Sequence, residues 1–199
     1  MRHMPRTTTH LLYLHGFRSS PRSVKAQKMA DWIHALHPQV HWCCPQLPPS
    51  PQEALDLLLQ ITADWPWTQT AIVGSSLGGF YAHCLAAQIG CPAVLINPAV
   101  HPARDLARHV GMQQAWHDPT EFFDFQPQFV DELEKLQKNL KTPSNEIFAI
   151  VAQGDEVLDW REMTAQLAHA RIKLLPGSDH ALSDVDDHRD DILNFLKLV

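Results

Sequence analysis

The stretch AIVGSSLGGFYAH, residues 71–83, decides how this chain folds. An uncharged, β-branched run breaks into two serines set among three glycines, and an apolar run that suits a helix follows. Gly74-Ser75-Ser76-Leu77-Gly78 fits the pattern G-x-S-x-G with Ser76 at its centre. The pattern has a steric cause. A serine raised above the end of a parallel sheet stands on a very tight strand-to-helix turn, often with strained dihedrals. Residues two before and two after it crowd each other, so both must be nearly free of side chain. Ser76 therefore takes the apex and Ser75 the variable position. The bland alternative is a glycine-rich turn that cradles a phosphate. No lysine follows the glycines, so a P-loop fails, and G-x-G-x-x-G fails as well.

Outward from this turn, short β-rich runs alternate with helical periodicity. Strands are expected at Leu11–Leu14, Val40–Cys44, Thr70–Val73, Ala93–Ile96, Ile147–Ala152 and Ile172–Leu175. Helices are expected at Ser23–Leu36, Glu53–Ala63, Leu77–Ile89, Val130–Leu140, Trp160–His169 and His188–Leu198. Such alternation builds an α/β fold, here about six mostly parallel strands with helices on both faces. The rhythm breaks after the fourth strand, where about fifty residues from Asn97 carry no strand signal and include WHDPTEFFDFQPQF. An interruption of that length usually means a lid or a binding element. No repeat or linker divides the rest, so residues 1–199 read as a single domain with a lid- or cap-like insertion at about 101–145.

Composition narrows the classes. Hydrophobic residues at 45% and charged residues at 19% suit a packed domain rather than a disordered chain. A net charge of -6 offers no basic footprint for nucleic acid or an anionic membrane. The longest apolar runs, LLYL at 11–14 and AVLI at 93–96, fall far short of the roughly 20 residues a bilayer span needs. No long apolar stretch follows the N-terminal MRHMPRTTTH, which argues against a secretory signal. Cys43, Cys44, Cys84 and Cys91 form no C-x-x-C pair, and reduced thiols in a cytoplasmic protein are the expectation. Oligomeric state is left open.

A serine hydroxyl is a poor nucleophile until a base takes its proton. In this architecture the chain order is serine, then acid, then histidine. QGDEV after Ile147–Ala152 puts Asp155 just past a buried strand, and PGSDHA after Ile172–Leu175 puts His180 in the last strand-to-helix loop. His101 and His188 are the rival bases. Glu156 and Asp159 are the rival acids, each otherwise a solvated loop residue or a helix N-cap before Trp160. Two N–H donors must meet the developing oxyanion. One is expected from Leu77, the residue after the nucleophile, and the other from Phe17 in the loop after the first strand. His15 is expected to brace that loop rather than to act as acid or base. With Trp116, Phe122, Phe123 and Phe125 it is also a candidate for lining the substrate pocket. Together with Phe129, the insertion aromatics would either line an acyl pocket or simply pack the insertion onto the sheet.

LHGF near the start, GSSLGG, NPAV, GDEVLD and a histidine in the last βα loop together resemble the small bacterial α/β-hydrolases of the YqiA esterase family. SSPRS after LHGF and PQLP at 45–48 extend the likeness over nearly the whole chain. The resemblance implies a reduced α/β-hydrolase fold that lacks the first two strands of the full superfamily sheet. It implies hydrolysis of small-molecule acyl esters or thioesters with no metal or organic cofactor. Ser76, Asp155 and His180 fall on the family's nucleophile, acid and base positions, and Phe17 and Leu77 on its oxyanion donors. Arg18 departs from an expected asparagine, Trp160 from a tyrosine, and Asp179 from an asparagine, which puts a negative charge beside the base. A serine at the turn excludes a dehalogenase, whereas a peptidase or a perhydrolase stays open. A binding protein that kept the fold would be expected to have lost one of the three residues, and here all are present. No H-E-x-x-H supports a metallohydrolase, and SDVDDHRDD reads as a solvated helix start.

Overall fold

The structure is a computed structural model that describes residues 7–141 and 146–198. Most of the N-terminal stretch read for a signal, and the last few residues of the insertion, lie outside the described residues. Strands β1 (His10–Leu14), β2 (His41–Cys43), β3 (Thr70–Ser75), β4 (Ala93–Ile96), β7 (Ile147–Ala152) and β8 (Arg171–Leu175) form one sheet in the order β2-β1-β3-β4-β7-β8. Every pairing in it is parallel. Helices α1 (Val24–Leu36), α2 (Pro51–Thr62), α3 (Leu77–Ile89), α6 (Trp160–Gln166) and α7 (Arg189–Phe195) complete the alternation, and the last is entered through a 3₁₀ turn at Val185–His188.

The central strands are apolar on both sides because both sides are covered. Leu11, Tyr13, Ala71, Val73, Val94 and Ile96 face a cluster shared with Met29 and Ile33 of α1 and Ile192 of α7. Leu12, Leu14, Ile72, Leu95 and Ala149 face the other cluster, shared with Leu58 of α2, Leu85 of α3 and Met163 of α6. Side chains alternate across a strand, so each residue's parity decides which cluster it joins. The N-terminus of α2 reads as expected for a Ser-Pro start: the Ser50 side chain accepts from Glu53 N, and Pro51 takes the first helical turn.

The insertion corrects one expectation. It is not free of strands: β5 (Gly111–Gln114) and β6 (Phe122–Phe125) pair as an antiparallel hairpin, between a short α4 (Pro102–Leu106) and α5 (Pro127–Lys138). Each strand is only four residues long and half-exposed, so neither carries a strong period-2 signal. The aromatic run itself splits. Phe125 and Phe129 are buried in the cluster under α2 and α3, whereas Phe122 is 54% exposed. Helix α5 is pinned to α2 through Glu132, whose carboxylate accepts from Ser50 Oγ at 2.7 Å and from Gln52 N at 3.0 Å.

Candidate active site

The turn between β3 and α3 has the crowding its sequence demands. A Cβ on Gly74 would stand 2.2 Å from Gly78 O, and one on Gly78 would stand 2.1 Å from Leu14 O. No side chain fits at either position. Ser76 at the apex has φ 56 and ψ -122, a conformation that L-residues avoid at a cost of about 1–3 kcal/mol. Its neighbour Ser75 is the last residue of β3 and is buried.

Three chain-distant loops meet at that apex. His180 Nε2 lies 3.0 Å from Ser76 Oγ, and His180 Nδ1 lies 2.7 Å from Asp155 Oδ2. The Asp155 side chain has no solvent exposure. Its other oxygen accepts from Val157 N and Leu158 N, both at 2.8 Å. With one Asp155 oxygen taken by two backbone N–H groups, the other is placed to accept from His180 Nδ1–H, the tautomer in which Nε2 can accept from the Ser76 hydroxyl. The rival residues are engaged elsewhere. Glu156 accepts from the His180 backbone N–H at 3.0 Å, and Asp159 is the N-cap of α6. His101 bonds Gln137, and His188 bonds Lys173.

Asn97, at the end of β4, joins these parts and was given no role by the sequence. It is fully buried with φ 40. Its side chain accepts from Ala152 N at 2.8 Å and donates to Asp179 O at 3.0 Å and His180 O at 3.2 Å. One amide thus ties the end of β7, just before Asp155, to the loop that carries His180. Only its place in NPAV hinted at this.

The backbone N–H groups of Phe17 and Leu77 have no acceptor among the described residues. Leu77 is the first residue of α3, where the helix dipole is positive. His15 is buried, and its ring lies between Gly16 O at 3.0 Å and Leu47 N at 3.1 Å. Nε2 accepts from Leu47 and Nδ1–H donates to Gly16, the neutral tautomer, and burial holds its pKa below the ordinary value. That is the bracing arrangement.

Two clefts open onto Ser76 and His180. The smaller, about 220 Å³, is walled mainly by apolar side chains, Leu77, Ala99, Leu106 and Leu158, with Arg18 and Arg108 also on its lining. The larger, about 580 Å³, runs beside α1 and is walled by Lys25, Lys28, Glu156, Ala181, Leu182 and Ser183. Phe17, Trp116 and Val157 border both. Of the lining candidates only Trp116 reaches these clefts. Phe123 and His15 line a separate cavity of about 510 Å³ that touches neither Ser76 nor His180. Phe125 packs on Phe17 at 5.1 Å between ring centroids and on Phe129 at 5.6 Å, and lines none of these three spaces. Phe122 lines none of them either.

Arg18 fastens the hairpin to the Phe17 loop. Its Nε donates to Gln114 O at 2.6 Å, its carbonyl accepts from Trp116 N at 2.7 Å, and its guanidinium lies 4.2 Å over the Trp116 ring. Arg18 itself has φ 60. Among the described residues no group of three or more His, Cys, Asp or Glu side chains is arranged to hold a metal ion, and no helix is long and apolar enough to cross a membrane.

The fold recurs widely in solved structures of hydrolases and esterases. A protein from Agrobacterium vitis is similar over 96% of this chain and 91% of its own, with a TM-score of 0.75 and 17% identity. Est1E from Butyrivibrio proteoclasticus covers 97% of this chain and 87% of its own, with a TM-score of 0.69 and 13% identity. The esterase domain of a Rhodothermus marinus protein covers 98% and 86%, with a TM-score of 0.66 and 19% identity. The all-parallel six-stranded sheet of this chain has the fold of solved α/β-hydrolases. The model of an uncharacterised protein family, UPF0227, matches residues 10–197.

Proposed function

The chain belongs to the UPF0227 family, and from that premise we propose that it is a serine hydrolase of acyl esters or thioesters that works through an acyl-enzyme. One observation carries the reading: the unbroken path from Ser76 Oγ through His180 to the buried Asp155 carboxylate. His180 Nε2 takes the hydroxyl proton as Ser76 Oγ attacks the carbonyl carbon, and Asp155 holds the imidazole in the tautomer this requires. Negative charge then gathers on the carbonyl oxygen, where the Phe17 and Leu77 N–H groups meet it. As the tetrahedral adduct collapses, the carbon–oxygen or carbon–sulfur bond to the leaving group breaks and His180 returns the proton to that group. Water, deprotonated by the same histidine, releases the acid and restores Ser76. No step needs a metal or an organic cofactor.

The small, mostly apolar cleft suits a short acyl group, and residues 102–116 of the insertion contribute one wall of it, as a cap on a single hydrolase domain. The test is a fluorophosphonate label combined with a hydrolysis panel of esters and thioesters graded in acyl length. Covalent tagging at Ser76, together with turnover of short acyl substrates, is the expected result. An untagged Ser76 in folded protein would leave the chain a binding protein on a hydrolase scaffold.

A further inference from the structure

The larger cleft contains a charge that the mechanism above does not use. Lys25, in the first turn of α1, donates from its ammonium to the carbonyl of Ala181, the residue after the proposed base. An ammonium has three N–H donors. No other partner exists for it among the described residues, whereas Lys28, Lys138 and Lys173 all have ion pairs. The acids around it are committed elsewhere. Asp155 holds His180, Val157 and Leu158. Asp179 accepts from Ser183 N at 2.8 Å and Ser183 Oγ at 2.6 Å, and Glu156 accepts from His180 N. One turn along, Lys28 lines the same cleft but is bridged to Asp186 at 2.5 Å. A half-sequestered cation with one carbonyl partner is costly, and an anion from outside the protein offsets that cost. Burial lowers the Lys25 pKa to about 8 while the attraction of Asp179 and Asp155 opposes the shift, so the group is still charged at neutral pH.

The side of the site on which Lys25 lies decides what it meets. His180 must hand its proton to the leaving group, so that group departs along the wall formed by His180 and the residues after it. Ala181, Leu182 and Ser183 line the larger cleft and not the smaller. We infer that Lys25 binds a negatively charged group, carboxylate or phosphate, on the alcohol or thiol half of the substrate, so that the preferred substrates are esters or thioesters with an anionic leaving group. This rests on the esterase reading and adds the substrate class.

Matched pairs test it. S-Acetyl-3-mercaptopropionate is compared with its methyl ester, and S-acetyl-2-mercaptoethyl phosphate with its dimethyl ester, so that the two arms separate carboxylate from phosphate. For at least one pair, kcat/KM is expected to favour the anion by about tenfold, a preference that shrinks as added salt screens the charge. The ratio is expected to fall to about one in Lys25→Met and to persist in Lys25→Arg. Equal hydrolysis within both pairs by the wild type would overturn the inference. So would a Lys25→Met protein in which both members slow equally, since Lys25 would then only support the loop through Ala181. If Lys25→Met does not fold, the wild-type ratio, its salt dependence and Lys25→Arg decide alone. These failures leave the esterase reading standing. No turnover of any member, with no fluorophosphonate tag on Ser76, brings down both.

Discussion

The corner at Ser76 and the hairpin of β5 and β6 border the same site, and they are built in opposite ways. At the corner every residue of β3 is buried, and backbone presses on backbone so closely that even a methyl group at Gly74 or Gly78 finds an atom in its place. In the hairpin exposed residues alternate with half-buried or buried ones, and Trp116 in its loop is 72% exposed. The hairpin is anchored by Phe125, which packs on Phe17 and Phe129, and by Arg18. Rigid packing sets the position of the Ser76 hydroxyl, whereas the rim beside it hangs from a few anchors. Sites of this kind put chemistry on the scaffold and selection on the connections.

The comparison breaks if the corner tolerates change. Gly78→Ala should not reach the native fold at all, because a Cβ 2.1 Å from Leu14 O cannot be relieved without moving β1; circular dichroism and thermal melting check this. Ser76→Ala should leave the fold intact and lower ester turnover by roughly 10⁴–10⁶, measured as initial rates. Wild-type-like hydrolysis by that variant would remove the corner from the chemistry.

The hairpin sharpens the comparison with smaller effects. Phe125→Ala should cost about 3–5 kcal/mol in denaturant unfolding, since the ring is 1% exposed and leaves a cavity against Phe17 and Phe129. Phe122→Ala, three residues earlier and 54% exposed, should stay within about 0.5 kcal/mol of wild type. A pH effect of intermediate size belongs to α3. Burial, aided by His169, pushes the pKa of His83 down to about 4 in the fold. The unfolded chain therefore binds a proton first as pH falls, and stability present above pH 6.5 drains away between 6.5 and about 4. Unfolding free energy should drop by about 2 kcal/mol from pH 7 to pH 5 through this group, and His83→Phe should flatten that slope.

Legibility in the sequence follows the same division. Helix α3, strand β4 and strand β7 begin and end where periodicity placed them, because strong apolar signals meet sharp breaks at both ends. Strand β3 runs on to Ser75 because Gly74 and Ser75 stay in register with Leu95 and Ile96, a pairing no local pattern announces. The hairpin escaped because Gly111–Gln114 is mostly polar and becomes a strand only by pairing with Phe122–Phe125. Ser76, Asp155 and His180 were legible through chain order and strand ends, and the structure brings the three within hydrogen-bond reach. Asn97 and Lys25 were not, since each bonds a carbonyl far along the chain, that of Asp179 or Ala181, which only the tertiary fold brings near.

The Arg18 fastening has a consequence for anyone redesigning this protein. Residues 15–19 and residues 111–125 behave as the two halves of a buckle, with the Phe17 amide on one half and the Trp116 indole on the other. A hairpin transplanted alone from a relative would arrive without its catch. Its recipient would then misplace the Phe17 amide, and under the proposed esterase mechanism a change meant to alter selectivity would be read out as lost turnover.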